Sequence, residues 1–238
     1  MNQNNTEREI IIQKANGDKE PFDMNKLRSS LFRAGATEDT IEKVVSHVRT
    51  ELKDNMTTGD IYKYAFNILH RIESHVAKRY SIRRLVMSLG PSGFPFEKFV
   101  ARLLEAKGYS TLTDQTILGS CVAHEVDVVA WNKEKLIMCE AKYHNELGTK
   151  SDLKVALYVK ARFDDIKEAG TVFDYGGKKR VLDEGWLITN TKFSSTAIHY
   201  GECKNLIMIG WNYPEVGNLQ DMIEETGILD TLEVPHNI

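Results

Sequence analysis

Two short stretches carry residue types that do chemistry together. HEVDVVAW, residues 124–131, sets Asp127 among apolar neighbours, and CEAKYH, residues 139–144, sets Glu140 and Lys142 two apart behind the apolar run LIM. Side chains alternate faces along a strand. As strands, the two stretches turn Asp127 away from Val126, Val128 and Ala130, and put Glu140 and Lys142 on one face with Cys139 and Ala141 on the other. The intervening NKEK is a polar turn, so a hairpin can bring Asp127 and Glu140 side by side. Adjacent carboxylates repel unless a cation or a proton sits between them. A hard divalent ion, Mg²⁺ or Mn²⁺, suits such oxygen ligands. Lys142 beside it could orient a water nucleophile, help deprotonate it, or steady a pentacovalent phosphate. The plain alternative is an exposed strand end whose Glu–Lys pair has little energetic consequence.

The elements that must position these residues lie after a break. GPSGFP, with Pro91, Gly93 and Pro95, interrupts the pattern and marks a domain boundary, giving units 1–90 and 91–238. Beyond it, Phe96, Phe99, Val100, Leu103 and Leu104 form a helical stripe. Strands are expected at about 122–131 and 135–142, and a long helix at about 150–169. WLITN (186–190) reads as a buried strand, SSTAIHYGE as a helix and LIMIG (206–210) as a further buried strand. Strands mixed with helices argue an α/β class with a central mixed sheet flanked by helices.

The first unit reads differently. Ile10–Gln13 is a short strand, Asn16-Gly17 a hairpin turn, and Glu20–Phe22 a return strand. Asp23 caps a helix bearing Leu27, Leu31 and Phe32, with Gly35 as its stop. A second helix follows Thr37, with Ile41, Val44, Val45 and Val48 on one face. A third starts at Thr57 or Thr58, with Ile61, Tyr64, Ala65, Ile68 and Leu69 aligned, and a fourth covers roughly 74–89. The unit is therefore small and mostly helical, with an N-terminal hairpin.

Composition narrows the classes. The 238 residues contain no apolar run of the eighteen or so needed to span a bilayer, and the polar start MNQNNTERE has no signal-peptide core. Three widely spaced cysteines, Cys121, Cys139 and Cys203, fit a reduced cytoplasmic protein better than a disulfide scaffold. Residues 1–90 hold 15 Lys and Arg against 12 Asp and Glu, and residues 91–238 hold 16 against 22. The acidic second unit can still bind DNA if its basic residues cluster and its carboxylates hold metal.

The order Asp, then Glu-x-Lys on the next strand, behind an amphipathic helix, resembles the PD-(D/E)xK nuclease superfamily, nearest its Mrr-like, type IV restriction branch. The resemblance runs from about Phe94 to Trp211, through FEKFVARLLEAKGY, HEVDVVA, CEAKYHN and ITNTKFSSTAIHYGE. It implies a Mg²⁺-dependent DNA endonuclease in which Asp127 and Glu140 bind metal, Lys142 is catalytic and Glu97 supports the metal. Two departures stand out: GSCVAHEVD replaces the usual Gly-rich run, and Glu125 adds a carboxylate on the Asp127 face. Tyr143, His144, Lys150, Lys154, Lys192 and Ser194 are candidate phosphate contacts, and His124 and His144 are DNA-facing or structural rather than catalytic.

The first unit resembles the ATP-cone, a nucleotide-binding regulatory domain, over about residues 9–88, through IIQKANGDKEPFDMNKL, TTGDIYKYA and VAKRYSIRRLV. The resemblance implies that Lys14, Lys26 and Thr58 meet the phosphates of ATP or dATP, and Glu20 and Asp23 the base and sugar. Ile12, Phe22 and Leu27 would wall the adenine. Ala15 stands where the family has a second basic residue. The basic stretch KRYSIRR (78–84) is a DNA-backbone candidate or a solvated face. Together the two resemblances imply an endonuclease regulated in activity or assembly by nucleotide, in a possible homodimer or higher homo-oligomer. The rival readings are a catalytically silent nuclease-fold module that binds DNA, and a nucleotide-sensing regulator that does not.

Overall fold

The computed structural model describes residues 10–14, 17–87, 89, 94–146 and 148–228. The chain separates into two compact units, Met1–Arg83 and Arg84–Ile238. The expected turn residue Asn16, the Ala15 substitution, and Pro91 and Gly93 of the expected break lie outside the described residues.

In the N-terminal unit, β1 (Ile11–Gln13) pairs antiparallel with β2 (Lys19–Pro21). Gly17 sits in the connection with a φ of +88°, a conformation that glycine adopts without a Cβ penalty. Three helices begin at side-chain caps that take up otherwise orphaned N–H groups. Asp23 accepts from Asn25 N at the start of α1 (Met24–Arg33), Thr37 from Thr40 N at α2 (Glu38–Glu51), and Thr57 forms a reciprocal capping box with Asp60 at α3 (Thr58–Ile72). Helix α4 spans Ser74–Met87. The expected apolar faces close on one core, with Ile12, Leu27, Leu31, Ile41, Val44, Val45, Val48, Ile61, Ala65 and Leu69 buried. Phe32 does not join them; it is 71% exposed, because it lies one residue beyond the Leu27–Leu31 stripe.

The first helix wholly within the C-terminal unit is α5 (Phe94–Ala106), whose first turn includes Pro95. Pro95 therefore starts a helix rather than ending a pattern, since proline lacks only an N–H that the first turn leaves unused. Three antiparallel strands follow: β3 (Ser110–Leu118), β4 (Ala123–Trp131) and β5 (Leu136–Lys142). Strand β3 is absent from the sequence expectation because STLTDQTIL is mostly polar, as suits the edge strand it is. The short β6 (Lys150–Ser151) precedes α6 (Leu153–Glu168), capped by Asp152. A small hairpin, β7 (Phe173–Tyr175) and β8 (Lys178–Arg180), leads to β9 (Glu184–Thr189). Then come β10 (Lys192–Phe193), α7 (Ser195–Lys204), β11 (Ile207–Ile209) and α8 (Leu219–Thr226).

The main sheet has five strands in the order β11-β9-β5-β4-β3. Its β5–β9 and β9–β11 pairings are parallel, so the sheet is mixed. β5 is central, which explains its unbroken apolar run LIMC: both faces are covered. On the face of Val129 and Met138, the core is shared with Ala156, Val159, Phe163 and Ile166 of α6. Gly185 pairs with Met138, and a Cβ there would run into the Phe163 ring, so glycine lets α6 settle onto the sheet.

Candidate active site

Past this core, the same sheet face carries Asp127 and Glu140. The β4–β5 ladder pairs Trp131–Leu136 through Val128–Cys139, and one step further that register sets Asp127 opposite Glu140. Ala141 N donates to Asp127 Oδ2 at 2.7 Å, which fixes the carboxylate against the β5 backbone. Lys142 is half-buried on the Glu140 face. Glu97, from the first turn of α5, reaches the same neighbourhood: its carboxyl is raised by burial, then by the charges of Asp114, Glu140 and Glu125. Asp127 is raised to about 7, first by burial and then by Glu140, with the Ala141 hydrogen bond opposing. The tertiary structure thus brings together Glu97, Asp127 and Glu140, with Lys142 on the Glu140 face.

Two residues in this neighbourhood had no sequence-level signal. Between the pairs Thr113–Val128 and Gln115–Val126, Asp114 stands across from Asp127 with a φ of +55°. From α6, Arg162 Nη1 donates to Glu140 Oε2 at 2.5 Å. A pocket of about 260 Å³ is lined by Ala123, His124, Glu125, Asp127, Glu140, Tyr158 and Arg162. Finding Asp114 required the register of β3, and finding Arg162 required knowing which side of α6 faces the sheet.

Whether a divalent ion suits these residues is a question of free oxygens. Asp127 Oδ1 and Glu140 Oε1 accept no hydrogen bond among the described residues, while Oδ2 and Oε2 are used. No group of three or more His, Cys, Asp or Glu among the described residues is arranged to hold an ion alone. Two carboxylates with water and phosphate oxygens completing the shell is an arrangement Mg²⁺ accepts. The donor chemistry fits, and the residues to hold the ion would be Asp127 and Glu140.

Several expected phosphate contacts have other work. Tyr143 Oη donates to Met87 O at 2.6 Å and its ring lies 5.6 Å from that of Phe96, so its polar tip is turned into the protein. His144 bonds Ser151 Oγ at 2.8 Å, and Ser194 caps α7. His124 is structural: its Nε2 meets Asp165 Oδ2 at 2.7 Å. Asp165 also accepts from Cys121 N, tying the β3–β4 connection to α6. Lys150, Lys154 and Lys192 are exposed.

Residues 90–212, more than half of the 238, match a restriction endonuclease family model of Mrr type. The chain belongs to that restriction endonuclease family. Residues 10–86 match the ATP cone domain. An uncharacterized protein of Archaeoglobus fulgidus is 36% identical over 129 residues, covering 54% of this chain and 67% of the relative. A crystal structure of a protein of unknown function is 35% identical, with a TM-score of 0.49 over 60% of this chain and 72% of that one. Can2 of Sulfobacillus thermosulfidooxidans, in complex with cyclic tetra-adenylate, is 14% identical with a TM-score of 0.38 over 58% of this chain and 35% of that one.

In the ATP-cone, a pocket of about 370 Å³ is lined by Gln13, Lys14, Gly17, Thr57, Thr58 and Gly59. Lys14 and Thr58 are therefore together. Lys14 Nζ lies 2.7 Å and Lys26 Nζ 3.4 Å from the Glu20 carboxylate, so the two lysines share one acid. Glu20 is lowered, chiefly by its hydrogen bond from Lys14. Asp23 is engaged as the cap of α1, and Ile12 and Leu27 are buried in the core.

Proposed function

We propose that this chain is a metal-dependent DNA endonuclease whose activity or assembly responds to ATP or dATP bound by the ATP-cone. The observation that carries the reading is the register that sets Asp127 opposite Glu140, with Lys142 on the same face as Glu140. In the absence of a cation the two carboxylates repel, and the Asp127 carboxyl is raised first by burial and then by the charge of Glu140. When bound, Mg²⁺ or Mn²⁺ supplies charge stabilisation at the phosphoryl oxygens and makes water a better acid. The Ala141 N–H holds Asp127 so that Oδ1 is the oxygen left to bind, and Glu140 offers Oε1. The Lys142 ammonium orients a water for attack on phosphorus and steadies the extra negative charge as five oxygens surround phosphorus. Glu97 adds negative charge that favours cation binding.

Nucleotide regulation rests on the cone pocket. Lys14 and Thr58 line it, and Lys26 shares Glu20 with Lys14. The start of α3 lends the partial positive charge of a helix N-terminus to an anion there. The domains are assigned as 1–90 for the cone and 91–238 for the nuclease, working in the cytoplasm as a homodimer or higher homo-oligomer. Among the described residues no helix is long and apolar enough to cross a membrane.

The test is cleavage of supercoiled or modified DNA with Mg²⁺ or Mn²⁺ by wild type, Asp127→Ala and Lys142→Ala. Equal activity in all three sinks the site assignment. A DNA mobility shift with no cleavage under either ion supports the silent DNA-binding reading instead.

A further inference from the structure

The acidic pocket contains a cation of its own. Arg162 and Glu140 form an ion pair in which the side chains are only 11% and 18% exposed. The guanidinium carbon also stands 5.2 Å from the Tyr158 ring centroid, one helical turn back along α6. Arg162, Tyr158, Asp127 and Glu140 line the same pocket. Glu140 therefore has two claims on it: as an oxygen donor for an ion, and as the partner of a desolvated guanidinium. Positive charges a few ångströms apart in a partly desolvated pocket repel strongly, so the two claims compete.

We propose that Arg162 is a built-in counter-cation of the metal site: it neutralises Glu140 while no ion is bound, and a divalent ion must weaken or displace that pair to bind. This rests on the reading of Asp127 and Glu140 as ion ligands. Arg162 is then a positioning residue that sets the concentration of ion at which the site fills. It orients Glu140 through Oε2 and leaves Oε1 to be approached first. A guanidinium loosened from Glu140 stays in the same pocket, supported by the Tyr158 ring.

The proposal is tested on the full chain without DNA, so that no activity is needed. Mn²⁺ binding is titrated by electron paramagnetic resonance for wild type, Arg162→Gln, Asp127→Asn and the double variant, with circular dichroism to verify folding. Arg162→Gln is expected to bind Mn²⁺ about tenfold more tightly than wild type, and Asp127→Asn to remove binding in both backgrounds. Equal or weaker binding by folded Arg162→Gln, still abolished by Asp127→Asn, overturns the role of Arg162 and leaves the metal site standing. Binding by neither wild type nor Arg162→Gln overturns both. A second measurement needs no variant at Arg162: the nitrogen resonances of its guanidinium in wild type should shift as Mg²⁺ is added, with the same midpoint as ion binding. A guanidinium signal that ignores a saturating ion overturns the proposal.

Discussion

The two units solve opposite electrostatic problems with the same kinds of side chain. In the ATP-cone, Lys14 and Lys26 stand on one acid, Glu20, and the lysines are 42% and 67% exposed. In the nuclease domain, Asp127 and Glu140 share a partly desolvated pocket with one strong base, Arg162, and Glu97 adds its negative charge to theirs. The first cluster leaves positive charge for an anion, and the second leaves negative charge for a cation. Burial decides how hard each side is pressed. Exposed pairs are screened and contribute little, whereas desolvated like charges perturb one another strongly. The sign of the surplus at each place matches the ligand proposed for it, a nucleotide anion in the cone and a divalent cation in the nuclease domain.

The largest effect expected from breaking this contrast is on catalysis. Asp127→Ala, Glu140→Gln and Lys142→Ala should each lower Mg²⁺-dependent DNA cleavage by about a thousandfold or more, measured as initial rates on supercoiled DNA. Next comes the pH dependence of stability. Asp127 is raised above its unfolded value, so its contribution is full below about pH 4 and is lost as pH rises through about 7. Asp127→Asn keeps the acceptor for Ala141 N–H, removes the charge, and should stabilise the ion-free protein at pH 8 by at most about 4 kcal/mol in urea unfolding. Glu20 in the cone has the opposite sign: it is lowered, so its contribution is present above its unfolded value and falls away on acidification. Glu20→Gln should therefore leave unfolding at pH 8 nearly unchanged, because the lysine pairs are exposed.

Smaller changes sharpen the comparison. Gly185→Ala pushes against Phe163 and should cost about 1–3 kcal/mol in unfolding free energy, as overpacking of a filled core does. A comparable effect is expected in the exposed cluster. Lys14→Ala should weaken ATP or dATP binding by roughly tenfold in calorimetric titration while leaving DNA cleavage without nucleotide unchanged. A cleavage rate that falls with Lys14→Ala in the absence of nucleotide would undo the division of labour between the two pockets.

Much of this was legible in the chain. Apolar spacing located the cone helices and α5, and Asp23 and Thr37 announced the starts of α1 and α2, while the start of α3 was narrowed to Thr57 or Thr58 and falls at Thr57. Strict alternation in HEVDVVAW and CEAKYH assigned Asp127, Glu140 and Lys142 to faces before any coordinates. The polar edge strand β3 escaped notice because an edge exposes one side to water and needs no apolar run. Helix α8 and the β7–β8 hairpin were likewise missed, their segments being short.

The sequence by itself determined which residues can ligate, which can carry a proton, and which side of its own strand or helix each occupies, because those follow from side-chain chemistry and backbone period. The tertiary structure alone decided which faces meet. The β4–β5 register set Asp127 against Glu140, the β3 register set Asp114 across from Asp127, and the seating of α6 over Gly185 accompanies the delivery of Arg162 to Glu140. Those juxtapositions join residues up to 22 positions apart, from Glu140 to Arg162. No local period encodes them; they arise from burying several elements on one sheet at once.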